Sequence, residues 1–184
     1  MLSIAVAAIE KESILALIKA TANDEDLQGC DLIVEAVFED VELKNKITQS
    51  CEKYLAENGV WGSNTSTLPI SMLAEASSKS ENFIGIHFFS PVDKMPLVEI
   101  ICGEQTSDET LATAFDYVQQ IKKTPIVVND VPGFFTSRTI ATYMGEGDSL
   151  LVEGVHPVTI DALGKAIGMP VGPITISDEI SQKT

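Results

Sequence analysis

The chain reads as an α/β protein: part of a doubly wound, mostly parallel sheet, followed by the start of an all-helical segment. Three observations predict this. Apolar runs of strand length alternate with stretches of helical periodicity as far as about residue 130. The run Asp31-Leu32-Ile33-Val34-Glu35-Ala36-Val37 is mostly apolar, with β-branched residues at its centre and end, and has strand length, the pattern of a buried parallel strand. After Asn129-Asp130-Val131-Pro132-Gly133 the strand signals stop and only helical periodicity follows. A boundary near Val131 therefore divides the chain into 1–130 and 131–184.

Each element has its own signal. Ser3 to Lys19 favours helix, with Ile14, Leu17 and Ile18 on one face. Ile18–Ala22 has strand character, ended by Asn23-Asp24-Glu25-Asp26. After the strand Asp31–Val37, Asp40 suits the N-cap of a helix whose apolar face is Leu43, Ile47, Cys51, Tyr54 and Leu55, with Asn58-Gly59 as its stop. Val60-Trp61-Gly62 begins a short strand that leads into Ser63-Asn64-Thr65-Ser66-Thr67, and Pro69 suits the first turn of a helix to about Ala76. Phe83–Phe89 and Leu97–Cys102 are strands joined by the proline-bounded loop Ser90–Pro96.

Thr106-Ser107-Asp108-Glu109 is a capping-box sequence, and its helix carries the stripe Leu111, Ala114, Phe115, Val118 and Ile121. Pro125–Val128 is one more strand. Helical periodicity then covers Phe134 to Val152 and Pro157 to Ile167, the second with Ile160, Leu163 and Ile167 on one side and Gly168-Met169-Pro170 closing it. Gly145 and Gly147 inside the first of these cost roughly 1 kcal/mol each relative to alanine.

Composition narrows the function. Of 184 residues, 12 are Lys or Arg and 27 are Asp or Glu, a net charge of −15. That charge argues against a partner held through phosphates, whether nucleic acid or an anionic membrane surface. Three cysteines (Cys30, Cys51, Cys102) are too few and too irregularly spaced for a disulfide framework. Two histidines, with no CxxC and no HExxH, speak against a metal site. The apolar opening Met1–Ile9 is too short to span a bilayer and lacks the basic start of an export signal, so the sequon Asn64-Thr65-Ser66 reads as accidental and the protein as soluble and intracellular.

The candidate chemistry lies between Glu35 and Ser137. Ser63-Asn64-Thr65-Ser66 follows a strand, at the carboxyl edge where open α/β sheets bind ligands. His87 stands late in one apolar strand and Glu99 in the middle of the next, where a carboxylate is costly unless paired. If the two strands pair through the proline loop, Glu99 can hold one imidazole nitrogen and leave the other as a general base. On pattern alone a strand histidine is more often a satisfied core residue, a strand glutamate a solvated edge, and a Ser/Thr/Asn cluster a turn. A serine hydrolase is disfavoured, because no GxSxG occurs and the order Ser66, His87, Glu99 differs from that of the α/β-hydrolases.

Four stretches then resemble one family in order and spacing: Asp31–Asp40, Ser63–Leu68, Gly85–Val92 and Val131–Phe135. The family is that of the L-3-hydroxyacyl-CoA dehydrogenases. The likeness is to the dehydrogenase part of multifunctional fatty-acid oxidation proteins of the trifunctional α-subunit type, supported by Pro91–Ile100 and Met169–Pro173. The resemblance implies a partial Rossmann-type fold and oxidation of (S)-3-hydroxyacyl-CoA to 3-ketoacyl-CoA with NAD. By position it implies His87 as catalytic base, Glu99 as its orienting carboxylate and Ser66 as a hydrogen-bonding group near substrate oxygen and nicotinamide. Val37, Phe38, Glu39, Lys44 and Ser90 fall where the family contacts NAD, and Ser137 where many members carry a substrate-contacting Asn.

Departures from the family shape the expectation. No G-x-G-x-x-G strand–turn–helix is present, nor the strand after it, and the helical segment is short. The chain is therefore expected to be a fragment. The alternative is a non-catalytic assembly module. A sheet without its first strand exposes an unpaired edge, so a homo-oligomer or association with the remainder of a multifunctional β-oxidation complex is expected beside the acyl-CoA substrate. The family implies a cytoplasmic location in a bacterium and a mitochondrial one in a eukaryote.

Overall fold

The structure, a computed structural model, describes residues 11–179. Its elements are β1 (Cys30–Glu35), α1 (Val41–Cys51), β2 (Leu55–Ser63), α2 (Ile70–Ala74), β3 (Phe83–Phe88), β4 (Leu97–Cys102), α3 (Asp108–Gln120), β5 (Thr124–Asn129), α4 (Thr136–Val152), α5 (Pro157–Ala166) and α6 (Pro173–Glu179). The strands form one sheet in the order β1-β2-β3-β4-β5. All neighbours are parallel except β3 and β4, which pair antiparallel across the proline loop. Among the described residues β1 is an edge.

Period-2 alternation sorts the core into two layers. Ile33, Trp61, Phe83 and Ile101 face Ile70, Leu73 and Ala74 of α2, Cys51 of α1, and Phe134. Val60, Ile84, Ile86, Val98 and Ile100 face Ala114 and Val118 of α3. Helices thus cover both faces, as the continuous apolar strand sequences require. Gly85 makes one contact possible: a Cβ there would lie 2.8 Å from Ile70 Cδ1 and 2.9 Å from Ile101 Cβ, so only glycine lets α2 press onto β3 at this point.

Several local expectations change. Residues 18–22 form no strand; Asn23 instead accepts from the Glu25 amide and caps a 3₁₀ turn over Asp24–Leu27. Residues 11–15 are helical, while the earlier part of the expected Ser3–Lys19 helix lies outside the described residues. Helix α1 ends at Cys51 and passes through a 3₁₀ turn over Glu52–Tyr54. Asn58-Gly59 falls inside β2, where the register with β1 jumps from Cys30↔Leu55 to Leu32↔Val60; the turn signal becomes a bulge. The cap of α3 is Ser107, whose Oγ accepts from the Thr110 amide, whereas Thr106 Oγ1 accepts from the Gly103 amide and donates to the Phe83 carbonyl.

The helical segment also departs from its simplest reading. On α5 the buried side runs through Ile160 and Gly164, leaving Leu163 and Ile167 exposed. The two glycines of α4 differ. Gly145 has open space where a Cβ would stand, but a Cβ on Gly147 would lie 2.7 Å from both Cβ and Cγ of Pro173 in α6. We expect Gly145→Ala to stabilise the fold by about 0.5–1 kcal/mol through helix propensity. Gly147→Ala should destabilise it by about 1–3 kcal/mol through overpacking. Urea unfolding of the two variants checks this; shifts of the same sign would contradict the packing.

No helix among the described residues is long and apolar enough to cross a membrane. No group of three or more His, Cys, Asp and Glu residues among them could hold a metal ion.

Candidate active site

Because β1, β2 and β3 are parallel, their carboxyl ends share one edge of the sheet. Four buried polar side chains gather there on one face: Glu35 ends β1, Ser63 ends β2, His87 is late in β3, and Glu99 lies opposite His87 on β4. Direct cross-strand partners share a face, so the register His87↔Glu99 brings the imidazole against the carboxylate. His87 Nδ1 stands 2.7 Å from Glu99 Oε2. The pair is secluded, His87 being 5% exposed and Glu99 0%.

Glu99 is held further by the start of α4. Its Oε1 accepts from the amides of Phe135 (3.1 Å) and Thr136 (2.8 Å), and its Oε2 accepts from the Thr136 hydroxyl (2.8 Å). The helix has no side-chain cap of its own, so the carboxylate from β4 takes that place at the positive end of the helix dipole. Burial alone would raise the Glu99 pKa, but the bonds from His87 and from the amide and hydroxyl of Thr136 outweigh it and hold it below the ordinary 4.5. An ionised carboxylate only accepts, so Nδ1 carries a proton, and in the neutral imidazole Nε2 is the bare nitrogen. His87 itself lines an open cavity of about 660 Å³.

That cavity is bordered by Ser66, His87 and Ser137 at its polar end and by Phe89, Met95 and Met144 among its apolar walls. The Ser137 hydroxyl donates to the Ser66 carbonyl at 3.4 Å, so the two serines meet on the cavity lining that they share with the histidine. Phe89 and Phe134 flank the imidazole, with ring centroids at 4.5 and 6.1 Å. A base, its orienting acid and two hydroxyls at the mouth of an apolar hollow can move a proton to or from an oxygen on an otherwise apolar substrate.

The loops that carry the remaining candidates are tied together from behind. Lys44 is 1% exposed, and its Nζ donates to Glu35 Oε1 (2.9 Å) and to the Val37 carbonyl (3.4 Å). Glu35 also accepts from the Ser63 hydroxyl and the Val37 amide. Glu39 Oε1 accepts from the hydroxyls of Thr65 and Thr67 and from the amides of Ser66 and Thr67. Asn64 Oδ1 accepts from the Phe88 amide, joining the ends of β2 and β3. Val37, Phe38, Ser90 and Lys44 do not border the cavity; Phe38 projects into solvent at 86% exposure, and Ser90 is exposed just after β3.

Desolvation would raise the Glu39 pKa, but the Thr65 hydroxyl, the Ser66 amide and the charge of Lys44 lower it below 4.5. Glu39 and Glu99 therefore bind protons less readily in the folded chain than in the unfolded one. Their stabilisation is complete above the ordinary carboxylate value and is lost as pH falls through the depressed folded values. We expect Tm to fall on acidification below about pH 4.5, and Glu99→Gln to make that fall shallower. A fall of equal steepness in Glu99→Gln would show that the Glu99 carboxyl does not titrate with unfolding.

The chain as a whole has counterparts among known proteins. A family model described as 3-hydroxyacyl-CoA dehydrogenase, NAD binding domain, matches residues 3–131, and its companion for the C-terminal domain matches residues 133–184. The chain belongs to the 3-hydroxyacyl-CoA dehydrogenase family. It is 46% identical over 172 residues to the fatty acid oxidation complex subunit alpha of Shewanella frigidimarina, covering 94% of this chain and 24% of that subunit. The same subunit of Shewanella amazonensis is 45% identical over 174 residues, again with 24% of its length covered. The chain thus spans about a quarter of the curated relatives it matches.

Among solved structures, the (S)-3-hydroxybutyryl-CoA dehydrogenase of Ralstonia eutropha superposes with a TM-score of 0.88 at 38% identity, covering 94% of this chain and 62% of that one. The dehydrogenase part of multifunctional enzyme 1 from C. elegans superposes with a TM-score of 0.67 at 34% identity, covering 91% of this chain and 39% of that one.

The family's NAD-binding architecture can be compared with the residues present. Val37, Phe38 and Glu39 follow β1, Ser66 follows β2 and Ser90 follows β3, all at one carboxyl edge beside His87. Sequence reasoning placed Asn64 in the ligand-edge cluster without a role, and gave no role to Glu35 or Thr136 among the residues that build the site. The visible signal for Glu35 was an acid closing an apolar strand, with a lysine nine residues on.

Proposed function

We propose that the chain forms the catalytic, substrate-facing part of an NAD-linked dehydrogenase that oxidises (S)-3-hydroxyacyl-CoA to 3-ketoacyl-CoA. The observation that carries this reading is the buried His87–Glu99 pair, 2.7 Å apart, opening onto an apolar cavity beside Ser66 and Ser137. His87 Nε2 takes the proton of the substrate 3-hydroxyl, and Glu99 stabilises the imidazolium that forms. Ser66 and Ser137 orient the substrate oxygen, while Phe89, Met95 and Met144 shed water from the acyl chain. NAD, when bound, supplies the acceptor for the hydride leaving C3. Ser66, Ser90 and the Val37–Glu39 segment would face its nicotinamide end; Lys44 and the Glu39 carboxylate act from behind by fixing the loops.

The divisions 1–130 and 131–184 then correspond to a cofactor-side part and a substrate-side helical part, a reading supported by the spans of the two family models. The relatives' names support membership of a multifunctional fatty-acid oxidation assembly, with the β1 edge and the apolar faces of α4 and α5 as surfaces for another copy or another part of it. A second reading rests on a specific observation: residues 1–184 contain no G-x-G-x-x-G, the motif whose backbone cradles the phosphates of NAD. In that reading these residues fold and bind acyl-CoA, but turnover needs the motif supplied from outside them.

The test is NADH oxidation by the purified chain with acetoacetyl-CoA, alongside calorimetric binding of acetoacetyl-CoA. Turnover supports the first reading. Binding without turnover, in a cooperatively melting protein, supports the second. Neither binding nor turnover in such a protein would overturn both.

A further inference from the structure

We propose that Thr136 is a positioning residue that fixes the Glu99 carboxylate against His87 and sets how strongly Oε2 draws the Nδ1 proton. The inference rests on the reading of His87 as base for its catalytic meaning, though not for its geometry. A carboxylate offers about four acceptor sites. On Glu99 all four are used: Oε1 by the amides of Phe135 and Thr136, Oε2 by His87 Nδ1 and the Thr136 hydroxyl. The amides are backbone groups that any residue at 136 supplies. The hydroxyl is not, and it shares the very oxygen that holds the imidazole.

The turn into α4 shows how tightly this contact is specified. Gly133 (φ 75°) and Phe134 (φ 46°) both adopt left-handed backbone, which is strained for a bulky aromatic residue. Phe134 is nonetheless 1% exposed, packed in the core and flanking His87. The strained turn aims the first residues of α4 at Glu99, and Thr136 is thereby placed both on the carboxylate and on the cavity wall. The helical part of the chain is so linked to the proton-handling pair through one hydroxyl and two amides.

Thr136→Val keeps the side-chain shape and both amides but removes one of the two donors to Oε2. The remaining Nδ1–H···Oε2 bond then carries more of the carboxylate charge and strengthens. The Nδ1 proton of His87 is the readout, observed by proton and ¹⁵N NMR on the full chain. Only two histidines are present, and His156, the N-cap of α5, serves as internal reference. We expect the His87 Nδ1 proton to move downfield in Thr136→Val and to return in Thr136→Ser, with His156 unmoved. If the valine variant does not melt cooperatively, Thr136→Ala carries the same test.

In turnover with acetoacetyl-CoA, the valine variant should lose about tenfold in kcat with KM unchanged, and the serine variant should recover it. An Nδ1 resonance that stays at its wild-type position in a folded valine or alanine variant overturns the inference, whatever the activity. A resonance that moves while the wild-type chain shows no turnover upholds the positioning role and counts against the catalytic reading alone.

Discussion

Replacing Lys44 with methionine should destabilise the chain by about 3–5 kcal/mol, the cost of leaving one member of a buried ion pair without its partner. Lys44 and Glu35 side chains are 2% and 1% exposed, and their charged atoms meet at 2.9 Å. Methionine retains most of the volume, so packing changes little and the loss is electrostatic. Glu35 would keep its bonds from the Ser63 hydroxyl and the Val37 amide, but not the charge that makes burial of an anion tolerable. Since natural domains are stable by only about 5–15 kcal/mol, the variant should show a large drop in urea midpoint with little change in slope. Adding Glu35→Gln should recover much of the loss, because the fully buried carboxylate is then neutral and the anion that remains, Glu39, is 32% exposed. A Lys44→Met variant within about 1 kcal/mol of the wild type would mean that the pair is far better solvated than its geometry indicates.

The ion pair matters beyond stability because Lys44 also stands 3.4 Å from Glu39, whose carboxylate gathers the Thr65–Thr67 segment and so places Ser66. This layer was hard to read from sequence. Leu43, Ile47 and Cys51 suggest the buried face of α1, but the buried residues are Lys44, Thr48 and Cys51, with Ile47 partly covered. Hydrophobic periodicity finds the stripe that a helix buries only when that stripe is apolar. Here the centre of the stripe is polar and made tolerable by Glu35, a residue on another element.

The His87–Glu99 pair was legible for the opposite reason. Each is a lone polar residue in an apolar strand, and a short proline-bounded loop brings the strands together in register. Thr136 was not legible, because it lies 37 residues from Glu99 and its approach depends on the left-handed backbone of Gly133 and Phe134. The strand expected at 18–22 failed for a local reason, since Asn23 and the acids after it cap a turn more readily than they end a strand.

His87→Gln should lower kcat for reduction of acetoacetyl-CoA by about 10²–10⁴-fold, the usual contribution of a positioned acid or base. Glutamine can still hydrogen-bond Glu99 through its amide, so the fold and the Glu99 cap on α4 should survive. It cannot carry the proton that the carbonyl oxygen gains in reduction, nor accept the one that the hydroxyl loses in oxidation. KM for acetoacetyl-CoA should change little, because Ser66, Ser137 and the apolar walls are untouched. His156→Gln is the control: its ring caps α5 through the Val158 amide and lies outside the cavity lining. A His87→Gln chain that turns over within about threefold of the wild type would count against His87 as the proton carrier, because a positioned general acid or base typically contributes about 10²–10⁴-fold. Loss of turnover with intact substrate binding would instead place the proton on the one nitrogen that the Glu99 bond leaves bare.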